Sequence, residues 1–364
     1  MKETTQMPSP KPANPLWTWA APLLAWLILA AAILKPGALT ASLAAAALAG
    51  AVFAAVHHAE VVAHKVGEPF GTLVLALAVT IIEVALIVSV MLSGGAEKAA
   101  LARDTVLAAI MIVCNGVVGL CLLVGGVRHH EQGFHLQGAN AAMAVLCALS
   151  VLTLVLPNYS STVPGPGLAN SQLIFVGVIS LVLYMVFVFV QTVRHRNYFL
   201  AEGGEESHAP PPSNRATLAS ASLLIVALVA VVGLAKVLSP VVEKGVASAG
   251  APVAVVGIII AALVLLPEGF AALRAARANR LQTSLNLALG SALATIGLTI
   301  PTVAAVSIII GQPIALGLDG KETVLLALTL LVGVITLGTG RTTLLQGVIH
   351  LVIFAAFLFF AVVP

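Results

Sequence analysis

The chain has 364 residues, of which 60% are hydrophobic and 9% are charged, with a formal net charge of +3. Soluble domains carry about 25% charged residues, so this chain has too few to solvate a globular surface. Its Lys and Arg residues are scattered through loops rather than gathered in a basic stripe, which gives no footprint for nucleic acid.

A helix needs about 20 apolar residues to cross a bilayer, and the chain supplies such blocks repeatedly. Residues 1–15 carry Lys2, Lys11 and several prolines, and read as a disordered cytoplasmic tail. The first block, 16–34, contains Ala30-Ala31-Ala32, which imitates a signal-peptidase site. Apolar spans continue through the rest of the chain, so this block is expected to stay as a leading transmembrane helix. Further spans are expected at 38–62, 69–93, 105–127, 138–157 and 171–193, and then at 216–238, 251–273, 284–310, 323–339 and 344–363. Charges or helix breakers fill the gaps, among them Lys35-Pro36-Gly37 and residues 128–138. One stretch, 201–215, is strongly hydrophilic, with Glu202, Glu205, Glu206 and three consecutive prolines.

The expected fold class is therefore an all-α integral membrane protein of about 11 transmembrane helices. A leading helix precedes one five-helix repeat over 38–200, an acidic cytoplasmic linker over 201–215, and a second five-helix repeat over 216–364. An odd number of spans per half inserts the second half upside down relative to the first. Eleven Lys and Arg residues fall on the side of the amino terminus and six on the other. By the positive-inside rule the amino terminus is cytoplasmic and the carboxyl terminus external or periplasmic, as in a bacterial inner membrane. Cys114, Cys121 and Cys147 lie inside apolar blocks at no metal or redox spacing, and read as small buried residues.

Nearly all 14 acidic residues lie in loops or at helix ends, but Glu83 and Glu268 do not. Glu83 sits mid-span, and Glu268 sits in Leu-Pro-Glu-Gly toward the cytoplasmic half of its span. A carboxylate at such depth costs roughly 2.5–3.5 kcal/mol on insertion scales, so it usually faces a polar cavity. The bland alternative is a protonated carboxyl bonded to a backbone carbonyl. Each acid occupies the second helix of its half, and inverting one half onto the other brings both toward the midplane. Such a pair holds a cation or protons but not both at once, which is the physics of antiport.

Polar neighbours extend this candidate site. Thr80 lies about one turn before Glu83, and Ser284, Ser291, Thr295 and Thr302 recur at offsets of 7, 11 and 18 residues, on one helical face. Asn115 is the one amide deep in its span, either a cation ligand or a helix–helix hydrogen bond. Pro267 removes a helix hydrogen bond beside Glu268 and can free a carbonyl oxygen. His57, His58, Glu60 and His64 cluster at the cytoplasmic end of the second span, as a metal site, a pH sensor, or interfacial polar residues.

Three stretches carry a family resemblance: Gly67-Glu-Pro-Phe-Gly-Thr-Leu through Glu83, Leu266-Pro-Glu-Gly through Ser291 to Pro301, and Gly311-Gln-Pro with Glu322 and Gly340-Arg341. Together they resemble the calcium/cation antiporter superfamily, and within it the calcium/proton exchanger branch, over roughly residues 40 to 360. The resemblance implies a ten-helix inverted-repeat core behind one leading helix, with Glu83 and Glu268 binding the transported cation. It also implies that Glu60 stands at the cavity mouth and that the acidic linker joins the halves. The branch usually writes Gly-Asn-Ala before each glutamate, where this chain has Val79-Thr80-Ile81 and Val264-Leu265-Leu266. Where the branch often has Gly-Ser-Ala-Thr-Gln, this chain has Gly290-Ser-Ala-Leu-Ala294. Three amide ligands are thus replaced, which implies a relaxed cation site.

The expected function is exchange of Ca²⁺, together with Na⁺ or K⁺, for H⁺, without enzymatic activity and with no cofactor beyond the transported ions. The alternative is a monovalent Na⁺/H⁺ or K⁺/H⁺ antiporter with little Ca²⁺ transport. An intramembrane metalloenzyme would need histidines at the depth of the acids, and a passive channel would need a pore ring from an oligomer; the sequence offers neither pattern. The expected partners are cations, protons and the lipid bilayer, with a homo-oligomer left open.

Overall fold

The computed structural model describes residues 15–67, 70–92, 99–200 and 211–363. The tail up to residue 14 and the acidic residues Glu202, Glu205 and Glu206 lie outside the described residues. The helices, in chain order, are α1 (Leu16–Leu34), α2 (Ala38–Val66), α3 (Phe70–Leu92), α4 (Leu101–His129), α5 (Leu136–Tyr159) and α6 (Asn170–Arg194). The second half continues with α7 (Asn214–Ser248), α8 (Ala254–Arg277), α9 (Leu281–Ile310), α10 (Gly320–Leu337) and α11 (Leu344–Val362). Ten of these are long and apolar enough to cross a membrane, and α3, at 23 residues, carries the shorter apolar run Leu77–Val88. The all-helical fold of eleven spans is as expected from the sequence.

Boundaries move where charges sit inside a helix. The expected span 216–238 is a helix of 35 residues, Asn214–Ser248, so the linker ends before residue 214 and not at 215. At 1.5 Å per residue such a helix is about 50 Å long, well beyond the ~30 Å hydrocarbon core. Its last turns carry Pro240, Glu243 and Lys244, which read as loop in sequence but stay helical. There Ser239 Oγ donates to Glu243 Oε1 at 2.9 Å. Helix α10 starts at Gly320 rather than 323 because Asp319 caps it, accepting the Glu322 N–H at 2.8 Å.

The loops sort to two ends. At one end β1 (Glu131–Gly133) pairs antiparallel with β2 (Arg341–Thr343), joining the α4–α5 and α10–α11 connections. At the other end the segment before α10 bonds to three earlier loops and helix ends: Ala315 N–H to Ala99 O, Leu316 N–H to Pro166 O and Leu318 N–H to Leu154 O. Alternating crossings require this segregation.

Two large apolar cores and a small third cluster, Cys121 with Ala272 and Ala276, are formed by the described residues. The larger joins α4, α5, α6, α9, α10 and α11. The smaller joins α1, α2 and α7, for example Leu29, Leu48, Ala51, Ala230 and Leu234. Helix α1 is tied to this second body by the Trp26 indole N–H to Val226 O at 3.1 Å and by His58 Nε2 beside Thr18 O at 3.0 Å. Among the described residues α3 and α8 alone contribute to both cores: Ile87 and Leu265 to one, Ile82 and Val264 to the other. They form the seam between the two bodies.

Candidate functional site

Glu83 on α3 and Glu268 on α8 lie at that seam. Glu83 is buried, 2% exposed, between Ile82 and the neighbouring turns of α3. Its Oε2 accepts a hydrogen bond from Thr295 Oγ1 of α9 at 3.0 Å. Thr299, one turn further, stands beside the same carboxylate but does not complete a hydrogen bond. Glu83 Oε1 has no partner, and neither does the buried hydroxyl of Thr80. Ser291 and Ser284 likewise hold buried hydroxyls without partners.

Glu268 is half-buried, and its Oε2 is sealed without a partner. It lies within electrostatic range of Glu83 and of Glu60. Glu60 is exposed on α2 and within electrostatic range of Arg274 near the end of α8. The end of α8 that carries Arg274 lies at the β1–β2 pair, where Gln132 Nε2 donates to Ala276 O at 3.0 Å. A buried unpaired polar atom costs about 1–3 kcal/mol, and a charged one more. Two carboxylates within electrostatic range of each other, each with an oxygen left free and one of them bonded to Thr295, form a donor set suited to a cation, which prefers oxygen ligands.

The polar stripe of α9 departs from its expected course. Ser284, Ser291 and Thr295 are directed inward, but Thr302 is exposed and its hydroxyl returns to Leu298 O at 2.7 Å. Residues Thr295–Thr299 form a π turn. A π turn holds an extra residue per turn, so the helix beyond it is rotated back by roughly 100°. That rotation carries Thr302 out. Thr299 is not among the residues expected from sequence, although its place four residues after Thr295 puts it on the same face by ordinary helical spacing.

Asn115 is fully buried, and its hydrogen bonds go to α10 and α11 rather than to either glutamate. Its amide donates to Thr329 Oγ1 of α10 at 2.8 Å, and its oxygen faces His350 Nδ1 of α11 at 3.0 Å. Of the two readings open in sequence, the structure places it in a helix–helix hydrogen bond. His350 is not among the residues expected from sequence, although a lone histidine inside the apolar block 347–362 is an available signal. At the end of α2, the buried His58 faces Thr18 O, and His57 packs between the rings of Trp17 and His58. Among the described residues no three His, Cys, Asp or Glu side chains are gathered as a metal site requires.

Two apolar clefts, of about 390 and 490 Å³, flank α8, and both reach Ala262 and Leu266. Neither cleft is lined by Glu83 or Glu268.

An inverted pair of five-helix halves, with one intramembrane carboxylate from each meeting at a seam, is the build of a membrane carrier. The sodium/calcium exchanger protein family matches residues 36–193 and 219–363, and the chain belongs to that family. It is similar to y4hA of Sinorhizobium fredii, a candidate ionic transporter, with 52% identity over 96% of this chain and 97% of that one. It is 38% identical to the sodium-potassium/proton antiporter ChaA of Escherichia coli over 87% of each chain. Among solved structures it shares its fold with an H⁺/Ca²⁺ exchanger, CAX, at a TM-score of 0.74 and 18% identity, covering 94% of this chain and 87% of that one. The resemblance to calcium/cation antiporters drawn from the glutamate motifs is borne out.

Proposed function

We propose that this protein exchanges cations for protons through Glu83 and Glu268. The observation that carries the reading is the Glu83 carboxylate, held on one oxygen by Thr295 and open on the other, within electrostatic range of Glu268. Two carboxylates can be neutralised by one Ca²⁺ or by two protons, so the loaded forms are alike in charge. A monovalent cation leaves one proton in place, which admits Na⁺ or K⁺ to the same pair. Thr80, Leu265 and Ala294 stand where the exchanger branch has amides, so hydroxyls, carbonyls and water complete the shell. Affinity for Ca²⁺ is therefore modest and selectivity broad, in keeping with similarity both to a sodium-potassium/proton antiporter and to an H⁺/Ca²⁺ exchanger fold. The ions are cargo; the mechanism calls for no resident cofactor and no bond-making chemistry.

Glu60 offers a path between Glu268 and the inner face, with Arg274 nearby to hold it. The excess of Lys and Arg on the side of the amino terminus, eleven to six, orients the chain with that terminus in the cytoplasm and the carboxyl terminus outside. The test is transport in proteoliposomes with an internal pH dye, challenged in turn with Ca²⁺, Na⁺ and K⁺. Glu83→Gln and Glu268→Gln keep side-chain shape and remove the exchangeable charge, so each abolishes exchange. Near-normal transport by either variant at normal yield refutes the shared pair.

A further inference from the structure

The two halves each contain a π turn on equivalent helices, Ile112–Val117 on α4 and Thr295–Thr299 on α9. Each holds a glycine backed by an aromatic ring from the last helix of the other half. A Cβ at Gly297 would stand 2.6 Å from Tyr184 Cβ of α6, and one at Gly116 would stand 3.3 Å from the Phe354 ring of α11. The backbone arrangement is repeated, but its polar chemistry is not. On α9 the turn directs Thr295 and Thr299 to Glu83. On α4 it carries Asn115, whose side chain joins a buried network with α10 and α11.

That network has one consistent direction. The Thr329 hydroxyl donates to Leu325 O at 2.8 Å, the Asn115 amide donates to Thr329 Oγ1, and the Asn115 oxygen is left as an acceptor. His350 Nδ1 faces that acceptor at 3.0 Å while Nε2 has no partner, so Nδ1 carries the proton. All three side chains are 1% exposed or less. Below them α11 meets α4 at backbone contact, since a Cβ at Gly119 would stand 2.9 Å from His350 Cβ. The front of the same π turn bears on α8: a Cβ at Gly269, the residue after Glu268, would stand 3.3 Å from Val117 Cγ2.

We infer that Asn115, Thr329 and His350 are positioning residues: a three-helix polar clamp that keeps α4 in its widened turn and so fixes the wall against which Glu268 sits. This rests on the antiport reading for its effect on transport, but the clamp itself does not. Without the clamp the turn loses its tertiary hold, and α4 beyond it can rewind by a residue.

The experiment compares His350→Leu, the near-isosteric Thr329→Val, and His350→Gln, whose amide can again donate to Asn115. Two readouts are taken on purified protein: amide hydrogen exchange over residues 112–117 in nanodiscs, and the KM and kcat of exchange per reconstituted molecule. His350→Leu and Thr329→Val are expected to accelerate amide exchange in that turn by at least about tenfold and to raise the cation KM several-fold. His350→Gln restores both. Unchanged amide exchange with an unchanged KM in Thr329→Val overturns the clamp, and so does a His350→Gln variant no better than Leu. Wild-type protein that protects the turn yet exchanges no cation would sink the antiport reading and leave the clamp standing.

Discussion

Thr295 supplies the one hydrogen bond to the Glu83 carboxylate among the described residues, so Thr295→Val tests the site by removing a single oxygen. Valine keeps the shape and helix register, and the residue is buried at 2% exposure, so the change acts on the bond and not on packing. Side-chain hydrogen bonds inside membrane proteins are worth about 0.6 kcal/mol on average and at most about 1.7 kcal/mol. At 1.4 kcal/mol per tenfold, that is a rise in cation KM of about 3-fold to about 20-fold. The sign follows from chemistry: a hydroxyl donor favours the ionised carboxylate, and the ionised form is the one that takes the cation. Thr299→Val, which removes a hydroxyl short of a completed bond, should fall at or below the lower end. Thr295→Ser keeps the hydroxyl and should stay within about twofold of wild type. The assay is initial-rate exchange in proteoliposomes over a range of Ca²⁺ and Na⁺ concentrations, normalised to reconstituted protein. A Val variant with wild-type KM for both ions refutes the reasoning. A Ser variant as impaired as Val does too, since the lost group would then be the methyl.

Three further outcomes are expected. Glu60→Gln should lower kcat without abolishing exchange, because Glu60 is exposed and reaches Glu268 only through the field; complete loss would place it within the binding site itself. A reporter active only outside the cytoplasm, fused after the last residue, should be active, and cytoplasmic activity at that point would reverse the orientation drawn from the Lys and Arg count. Gly347→Ala should lower the melting temperature of the purified protein, since its Cβ would stand 2.8 Å from Leu123 Cα, and overpacking of this kind costs about 1–3 kcal/mol. Gly245→Ala, with nothing within 4 Å of the added carbon, is the control and should leave the melting temperature unchanged or slightly higher.

The helices are legible in the sequence because the bilayer sets one length and one composition for all of them. Their ends are misplaced where that constraint stops. Helix α7 runs on past the apolar stretch through Pro240, Glu243 and Lys244, and no hydropathy boundary marks a helix that continues into water. Glu83 and Glu268 are legible for the same reason in reverse: charge at mid-span is costly, so its presence is a signal. The exposure of Thr302 is not, because face assignment assumes 3.6 residues per turn and α9 widens at Thr295–Thr299. Asn115 can be read as polar and buried, but its partners Thr329 and His350 lie 214 and 235 residues away, and no local pattern links them.

The two acids are equivalent by the inverted repeat and unequal by environment, and the π turns are where that inequality arises. The backbone of each half offers the same widened turn, with a glycine backed by an aromatic ring from the other half. Side chains then divide the work. Residues on α9 bring hydroxyls to Glu83, so that carboxylate is partly stabilised by protein whether or not cargo is bound. On α4 the buried amide of Asn115 pairs instead with Thr329 and His350, while Glu268 Oε2, like Glu83 Oε1, has no partner. Symmetry of fold therefore builds the seam, while the α9 turn gives Glu83 a hydroxyl partner on one oxygen and the α4 turn pairs its own buried amide with α10 and α11.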